Sequence, residues 1–262
     1  MAQRAALFAR QLTTNTTSAA PKGVCLVVGA GDATGGAIAR KFAKEGYIAC
    51  VVRRNKEPLL GLVQEIESLG GKAVAFGCDA RKEEQVVDLV QQIEREVGPI
   101  EVAVHNIGAN MRFPITETTT RKYVKIWEMA ALTAFHTGRE AARVMTPRGR
   151  GTIIITGATA SIRGGDGFAA FAGAKFAKRA LAQSMARELG PKGIHVAHTI
   201  IDGPIDTAFV KEIWGEKKFM ELREAEGLLQ PDQIANTYYD IHCQHRSAWS
   251  FETDIRPYCE KW

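Results

Sequence analysis

Residues Gly29-Ala30-Gly31-Asp32-Ala33-Thr34-Gly35-Gly36 have the make-up of a turn that holds a pyrophosphate. Glycine lets backbone approach the phosphates, and a helix starting behind the turn offers unpaired N–H groups and the positive end of its dipole. The spacing G-x-G-x-x-G fails, since Thr34 stands at its third glycine; the wider G-x-x-x-G-x-G fits Gly29 and Gly35, with Ala33 in the middle. Gly29, Gly31, Asp32, Thr34 and Gly35 are therefore candidate cofactor-binding residues, because the turn lies between an apolar run and a helical stretch. A site for NAD places an Asp or Glu at the end of the next strand to accept from the ribose 2′-OH. This chain has Arg53-Arg54 there, followed by Asn55 and Lys56. Two guanidinium groups suit a 2′-phosphate through charge-assisted hydrogen bonds, although a solvated basic turn has the same composition. The expected cofactor is NADP(H).

Such residues need a scaffold, and the chain supplies one from residue 23 onward. Short apolar runs at 23–29, 47–52, 73–77, 100–105, 151–156 and 195–201 are predicted strands. Stretches of helical period separate them, among them 59–69, 83–97, 120–145 and 168–189. After Asp206 the pattern predicts short helices over 207–230, a helix over 232–245 and a last strand within 247–255. Strands apolar on both faces belong in a sheet covered on both sides, and repeated βα units give a doubly wound parallel sheet. The expectation is one Rossmann-like α/β domain over residues 23–262, about seven strands with helices on both faces.

The composition agrees. At 45% hydrophobic and 24% charged residues, 262 residues suffice for a continuous core without metal or disulfide. No apolar run reaches the roughly 18–20 residues of a membrane span. The net charge of +5 is mild and forms no dense basic stripe, which argues against a nucleic-acid partner. The five cysteines lack CxxC or zinc-like spacing, and three lie in apolar runs predicted as strands. A reducing compartment follows. Residues 1–22 carry Arg4, Arg10 and Lys22 and no acid; an organelle-import leader and a plain tail both fit them. The expected location is the cytoplasm, or the mitochondrion if the segment is a leader.

With the glycine turn, four further segments resemble the short-chain dehydrogenase/reductase family over essentially all of residues 23–262. The turn is similar to that family's T-G-x-x-x-G-x-G, with Val28 for Thr and Ala33 for Gly. Cys78-Asp79 resembles the adenine-contacting Asp, and Val104-His105-Asn106-Ile107-Gly108 the N-N-A-G motif, in which Asn106 would steady the central sheet. Gly203-Pro204-Ile205-Asp206-Thr207 resembles the segment that holds the nicotinamide amide, through Gly203, Ile205 and Thr207, with Asp202 in place of the usual Pro. The family's Y-x-x-x-K falls on Phe171-Ala172-Gly173-Ala174-Lys175. Positions i and i+4 share a helix face, so such a Tyr and Lys reach the substrate and the nicotinamide ribose together.

Here the chain departs from the pattern. Phe171 has no proton to give, and 13 residues earlier Ala158 stands where the family has its Ser. Ala130 falls where the proton relay has an Asn. Lys175 remains, with an implied hydrogen bond to the nicotinamide ribose, and Asn106 is the other member of the candidate catalytic set. Substitute donors are Thr159, Ser161, Asp166 and Asp202; Thr159 and Ser161 also suit turn caps, and Asp166 a loop. His198 in an apolar run suits a core histidine.

The resemblance implies an NADP(H)-dependent oxidoreductase with a non-standard site, reducing an activated C=C or a reactive carbonyl of a small-molecule substrate. A cofactor-binding sensor or partner without turnover, and a redox-neutral enzyme on the same scaffold, are the alternatives. It also implies a homodimer or tetramer through two long helices and the last strand, with residues 242–262 closing the substrate pocket or forming a subunit contact.

Overall fold

In the computed structural model residues 20–260 are described; the possible leader falls almost wholly outside them. Strand β1 (Val24–Val28) is buried along its whole length, as a run without a polar face requires. It pairs in parallel with β2 (Ile48–Arg53) on one side and β4 (Ile100–His105) on the other. With β3 (Lys72–Gly77), β5 (Gly151–Thr156), β6 (Ile194–Ile201) and β7 (Glu252–Ile255) the sheet has the order β3-β2-β1-β4-β5-β6-β7. The direction of travel reverses between β1 and β4. That crevice, beyond the carboxyl ends of the strands, is where ligands bind in open α/β sheets.

Helices cover both faces, in keeping with the expected fold class. On one face lie α1 (Thr34–Lys44) and α2 (Leu60–Ser68), whose Ile38, Phe42 and Ile66 share a core with residues of the sheet. On the other, α3 (Glu83–Glu96) brings Val86 and Ile93 against the sheet. The region 120–145, predicted as one helix, is divided into α4 (Thr120–Trp127) and α5 (Thr133–Met145) by a turn of π-helix at Glu128–Leu132. Where α5 begins, the Thr133 hydroxyl donates back to Met129 O at 2.7 Å and meets His105 Nε2 at 2.8 Å, the kind of back-bonding that accompanies local helix distortion.

The long α6 (Ala169–Leu189) follows β5, and after β6 come α7 (Ala208–Trp214), α8 (Glu216–Glu224) and α9 (Pro231–Cys243). Tyr238 and Ile241 of α9 join the core beside α1. The last strand is shorter than the predicted 247–255, because His245 caps a 3-10 turn at Arg246–Ala248 and Trp249 stacks on His195 with centroids 4.8 Å apart. Cys78 lies one residue past β3, yet is buried like the strand cysteines Cys25 and Cys50. All five cysteines are free. No described helix is long and apolar enough to cross a membrane.

His242, the first residue of the stretch expected to close the substrate pocket or form a subunit contact, lies between Tyr47 Oη at 2.7 Å and Thr152 Oγ1 at 2.8 Å. Burial pushes His198 and His242 down to about 4, and His105 and His195 also below the ordinary range. The unfolded chain protonates its imidazoles near pH 6.5 while the folded chain keeps these neutral, so the unfolded state binds more protons. Stability is thus complete above about pH 6.5 and falls as pH drops toward 4, on the order of 2 kcal/mol for each of His198 and His242 by pH 5. Urea midpoints at pH 7 and pH 5 measure this; equal midpoints would contradict neutral buried imidazoles.

Candidate active site

The glycine turn joins β1 to α1 at the crevice. Gly29 has φ +95°, and its N–H and that of Ala30 donate to Val52 O at 3.0 and 3.1 Å. At Gly35 a Cβ would lie 2.6 Å from Gly29 O, so only hydrogen lets α1 approach the turn this closely. Gly31 faces open space, Asp32 is exposed, and Thr34 is the buried first residue of α1. The N-terminus of α1 has no side-chain cap and no acid in its first turn. Its unpaired amides and open approach fit a phosphate anion.

Beyond β2, Arg53 and Arg54 are exposed and form no ion pair among the described residues. They line a pocket with Val28, Gly29, Asp79 and Thr133. The one carboxylate in its wall, Asp79, is already held by Arg81, with Nε at 2.9 Å and Nη2 at 2.6 Å. That guanidinium keeps the carboxyl below its usual range. The basic wall of the pocket is therefore not neutralised from within.

Asn106, just past β4, ties the centre of the sheet to the turn. Its Nδ2 donates to Gly29 O at 3.2 Å, and its Oδ1 accepts from Thr156 Oγ1 at 3.1 Å. Thr156 at the end of β5 also meets Tyr238 Oη at 2.8 Å, so α9 reaches the same network from the far side of the sheet. The carbonyl of Thr156 serves another purpose. Lys175 Nζ donates to it at 3.2 Å and to Gly157 O at 3.3 Å, and burial pushes this amine down to about 8.

Phe171 lies one turn before Lys175 on α6, its ring centroid 5.5 Å from Nζ. It packs with Phe168, Ala130 and Ala160 in a small apolar cluster, so neither the Phe171 nor the Ala130 position offers a proton. Ala158 is extended backbone after β5 and packs against the same cluster.

The four substitute donors separate clearly. Thr159 and Asp202 come together, with Oγ1 donating to Oδ1 at 2.5 Å, and Asp202 is buried beside Arg256 at 3.4 Å and Arg163 at 3.6 Å. Ser161 is fully buried and its hydroxyl accepts from Ala158 N at 3.1 Å, which closes a turn. Asp166 is exposed and paired with Arg112. Asp202 is followed by Gly203 at φ +151°, Ile205 bridges to Leu229, and the Thr207 hydroxyl caps α7 by accepting from Val210 N at 3.2 Å. His198 is fully buried, its Nδ1 3.0 Å from Glu252 Oε2.

Several polar residues of the site escaped the sequence reading, among them Thr156, Tyr238, Arg81 and Lys178. Lys178 is fully buried, with Nζ donating to Thr156 O at 2.9 Å and Ile107 O at 3.1 Å. Its signal was its place three residues after Lys175, on the same helix face. Among the described residues no group of three His, Cys, Asp or Glu could hold a metal ion.

Comparison with known proteins agrees with this architecture. Residues 23–218 match the family described as short chain dehydrogenase. A short-chain dehydrogenase from Rhodopseudomonas palustris, of solved structure, is 47% identical with a TM-score of 0.77, covering 90% of this chain and 99% of its own. A short-chain dehydrogenase/reductase of Armillaria gallica is 30% identical over 195 residues, 73% of this chain and 74% of its own. The 3-oxoacyl-[acyl-carrier-protein] reductase of Bos taurus is 28% identical over 190 residues, 72% of this chain and 78% of its own. The sheet with its covering helices thus finds its counterpart in the Rhodopseudomonas palustris structure, and the chain belongs to the short chain dehydrogenase family.

Proposed function

We propose that the chain is an NADP(H)-dependent oxidoreductase that reduces an activated C=C or a reactive carbonyl on a small molecule. The observation that carries the cofactor is the Arg53–Arg54 pair, exposed at the end of β2 and without ion-pair partners among the described residues. A 2′-phosphate satisfies two such guanidiniums, whereas a bare 2′-OH finds no acid to accept its proton there. When bound, the cofactor supplies the hydride; the protein supplies position, dryness and a proton.

In this reading Gly29, Gly31, Asp32, Thr34 and Gly35 hold the pyrophosphate and Asp79 lies at the adenine. Asn106, Lys175, Gly203, Ile205 and Thr207 surround the nicotinamide half. An activated acceptor suits the site, because Phe171 and Ala158 cannot polarise a plain ketone. The Bos taurus relative is named for a 3-oxoacyl group, a carbonyl of that activated kind. The exposed Tyr123, Trp127, Phe135 and Phe176 of α4, α5 and α6 support a homo-oligomer, which light scattering would reveal as a multiple of the 28.6 kDa chain.

Two measurements test the reading. NADPH and NADH are titrated by their own fluorescence, with tighter NADPH binding expected; a preference for NADH would sink the cofactor assignment. NADPH consumption is then followed with an enone and an o-quinone. Loss of both Ser and Tyr also suits a sensor without turnover, and NADPH binding with no consumption on either probe would favour that.

A further inference from the structure

The pocket that receives Arg53 and Arg54 also contains an acid. Arg53, Arg54, Asp79 and Arg81 line one cavity, at the end of β2 and in the turn that follows β3. A phosphate monoester carries a charge of about −1.5 to −2, so a lone carboxylate in that wall would work against the two arginines of β2.

The backbone of Asp79 is held without help from the Arg81 side chain. Its N–H donates to Gln85 Oε1 at 2.8 Å, and its carbonyl accepts from Lys82 N at 2.8 Å, closing the turn into α3. The carboxylate is therefore fixed in the wall from its own side.

Arg81 grips that carboxylate by both oxygens. The backbone N–H and Nε of Arg81 donate to Oδ1 at 3.2 and 2.9 Å, and Nη2 donates to Oδ2 at 2.6 Å. A bidentate fork of this kind is a geometry that arginine offers and lysine does not. The two side chains are 34% and 19% exposed, and ion pairs so placed add little to folding stability. The pair's place in the pocket wall gives it a different use. Arg54 also acts on Asp79, and Glu128 at the π-turn faces Arg81 without forming an ion pair among the described residues.

We propose that Arg81 is a positioning residue that sets cofactor specificity, by cancelling the charge of Asp79 so that the pocket accepts a 2′-phosphate. The inference rests on the NADP(H) reading and extends it to a residue outside the Arg53–Arg54 pair. Together Asp79 and Arg81 contribute no net charge, which leaves Arg53 and Arg54 uncompensated. Without Arg81 the pocket gains one negative charge. Without the Asp79 charge it gains one positive charge, and without either it returns to its starting sum. A cofactor with a bare 2′-OH brings no charge to this end and responds little.

Four proteins test this: the wild type, Arg81→Met, Asp79→Asn and the double variant. NADPH and NADH are titrated against each by fluorescence, and the ratio of the two dissociation constants is the readout. In Arg81→Met, NADPH is expected to bind about tenfold more weakly, the scale of one charge acting across a partly exposed cavity, while NADH stays within about threefold. Asp79→Asn is expected to raise the preference for NADPH. The double variant is expected to return to within about threefold of the wild-type ratio. Arg81→Lys, which keeps the charge and loses the fork, is expected to fall between wild type and Arg81→Met.

Equal losses of NADPH and NADH in Arg81→Met would make Arg81 a structural part of the turn and overturn the proposal. A double variant with the ratio of Arg81→Met overturns it too, because Arg81 would then act on the phosphate by itself and not through Asp79. If the Met variant does not fold, Asp79→Asn decides, and an unchanged or lower preference for NADPH overturns the charge balance. The wild-type ratio keeps the two ideas apart. A wild type without preference for NADPH removes the cofactor reading, whereas a preference that survives Arg81→Met removes only the role of Arg81.

Discussion

Phe171→Tyr combined with Ala158→Ser is expected to raise NADPH-dependent reduction of a plain ketone by about 10²–10⁴-fold, the usual contribution of a positioned general acid. The geometry already present makes so large a gain reasonable. The Phe171 ring lies 5.5 Å from Lys175 Nζ, one helical turn away, so a phenol oxygen added there enters the lysine's surroundings. Lys175 then lowers the phenol's pKa and satisfies a hydroxyl that would otherwise cost about 1–3 kcal/mol to bury unpaired. Ala158 needs no backbone change to carry a hydroxyl, because it is extended chain at the end of β5. The single variants are expected to gain far less, since the Ser orients the group that the Tyr protonates. NADPH absorbance with a ketone probe gives the answer. A folded double variant that binds NADPH and gains nothing would place Phe171 away from the reacting centre.

Arg53→Ala with Arg54→Ala is expected to weaken NADPH binding by about 10²-fold and leave NADH binding unchanged, as loss of charge-assisted bonds to one phosphate should. Neither side chain forms an ion pair among the described residues, and both are exposed. The melting point should therefore hold, within the roughly 0.5 kcal/mol of an ordinary surface substitution. Fluorescence titration of both cofactors against both proteins is the measurement. Equal losses for NADPH and NADH would mean that the arginines support the turn rather than a 2′-phosphate.

Much of the scaffold was legible because each strand is a run of apolar residues between turn signals. Ile100–His105 and Gly151–Thr156 have the predicted bounds. The glycine turn was legible because Gly35 meets the backbone of Gly29 and Ala30 only a few residues away, whereas the need at Gly29 comes from Asn106 and Ile107, far along the chain. Interactions across the sheet were not. The Thr133 hydroxyl beside the π-turn at Glu128–Leu132 meets His105, 28 residues earlier, and no period in the sequence carries that contact. Thr159 and Asp202 were named separately, and only the adjacency of β5 and β6 brings them to 2.5 Å. Lys178 was missed because a lysine in an amphipathic helix normally faces water. Here its helix face is turned to the Thr156 carbonyl, which only packing decides.

The arrangement of Arg53 and Arg54 has a consequence for how such a protein changes over generations. Asn106, Lys175 and Lys178 are woven into the backbone carbonyls of three strand ends, so altering them disturbs the sheet as well as the chemistry. The two arginines touch none of that network. Cofactor preference, in the proposed reading, is thus written in residues that folding does not consult. A lineage could exchange one reductant pool for another through one or two surface substitutions, each tolerated on arrival, while the proton chemistry stayed locked in place.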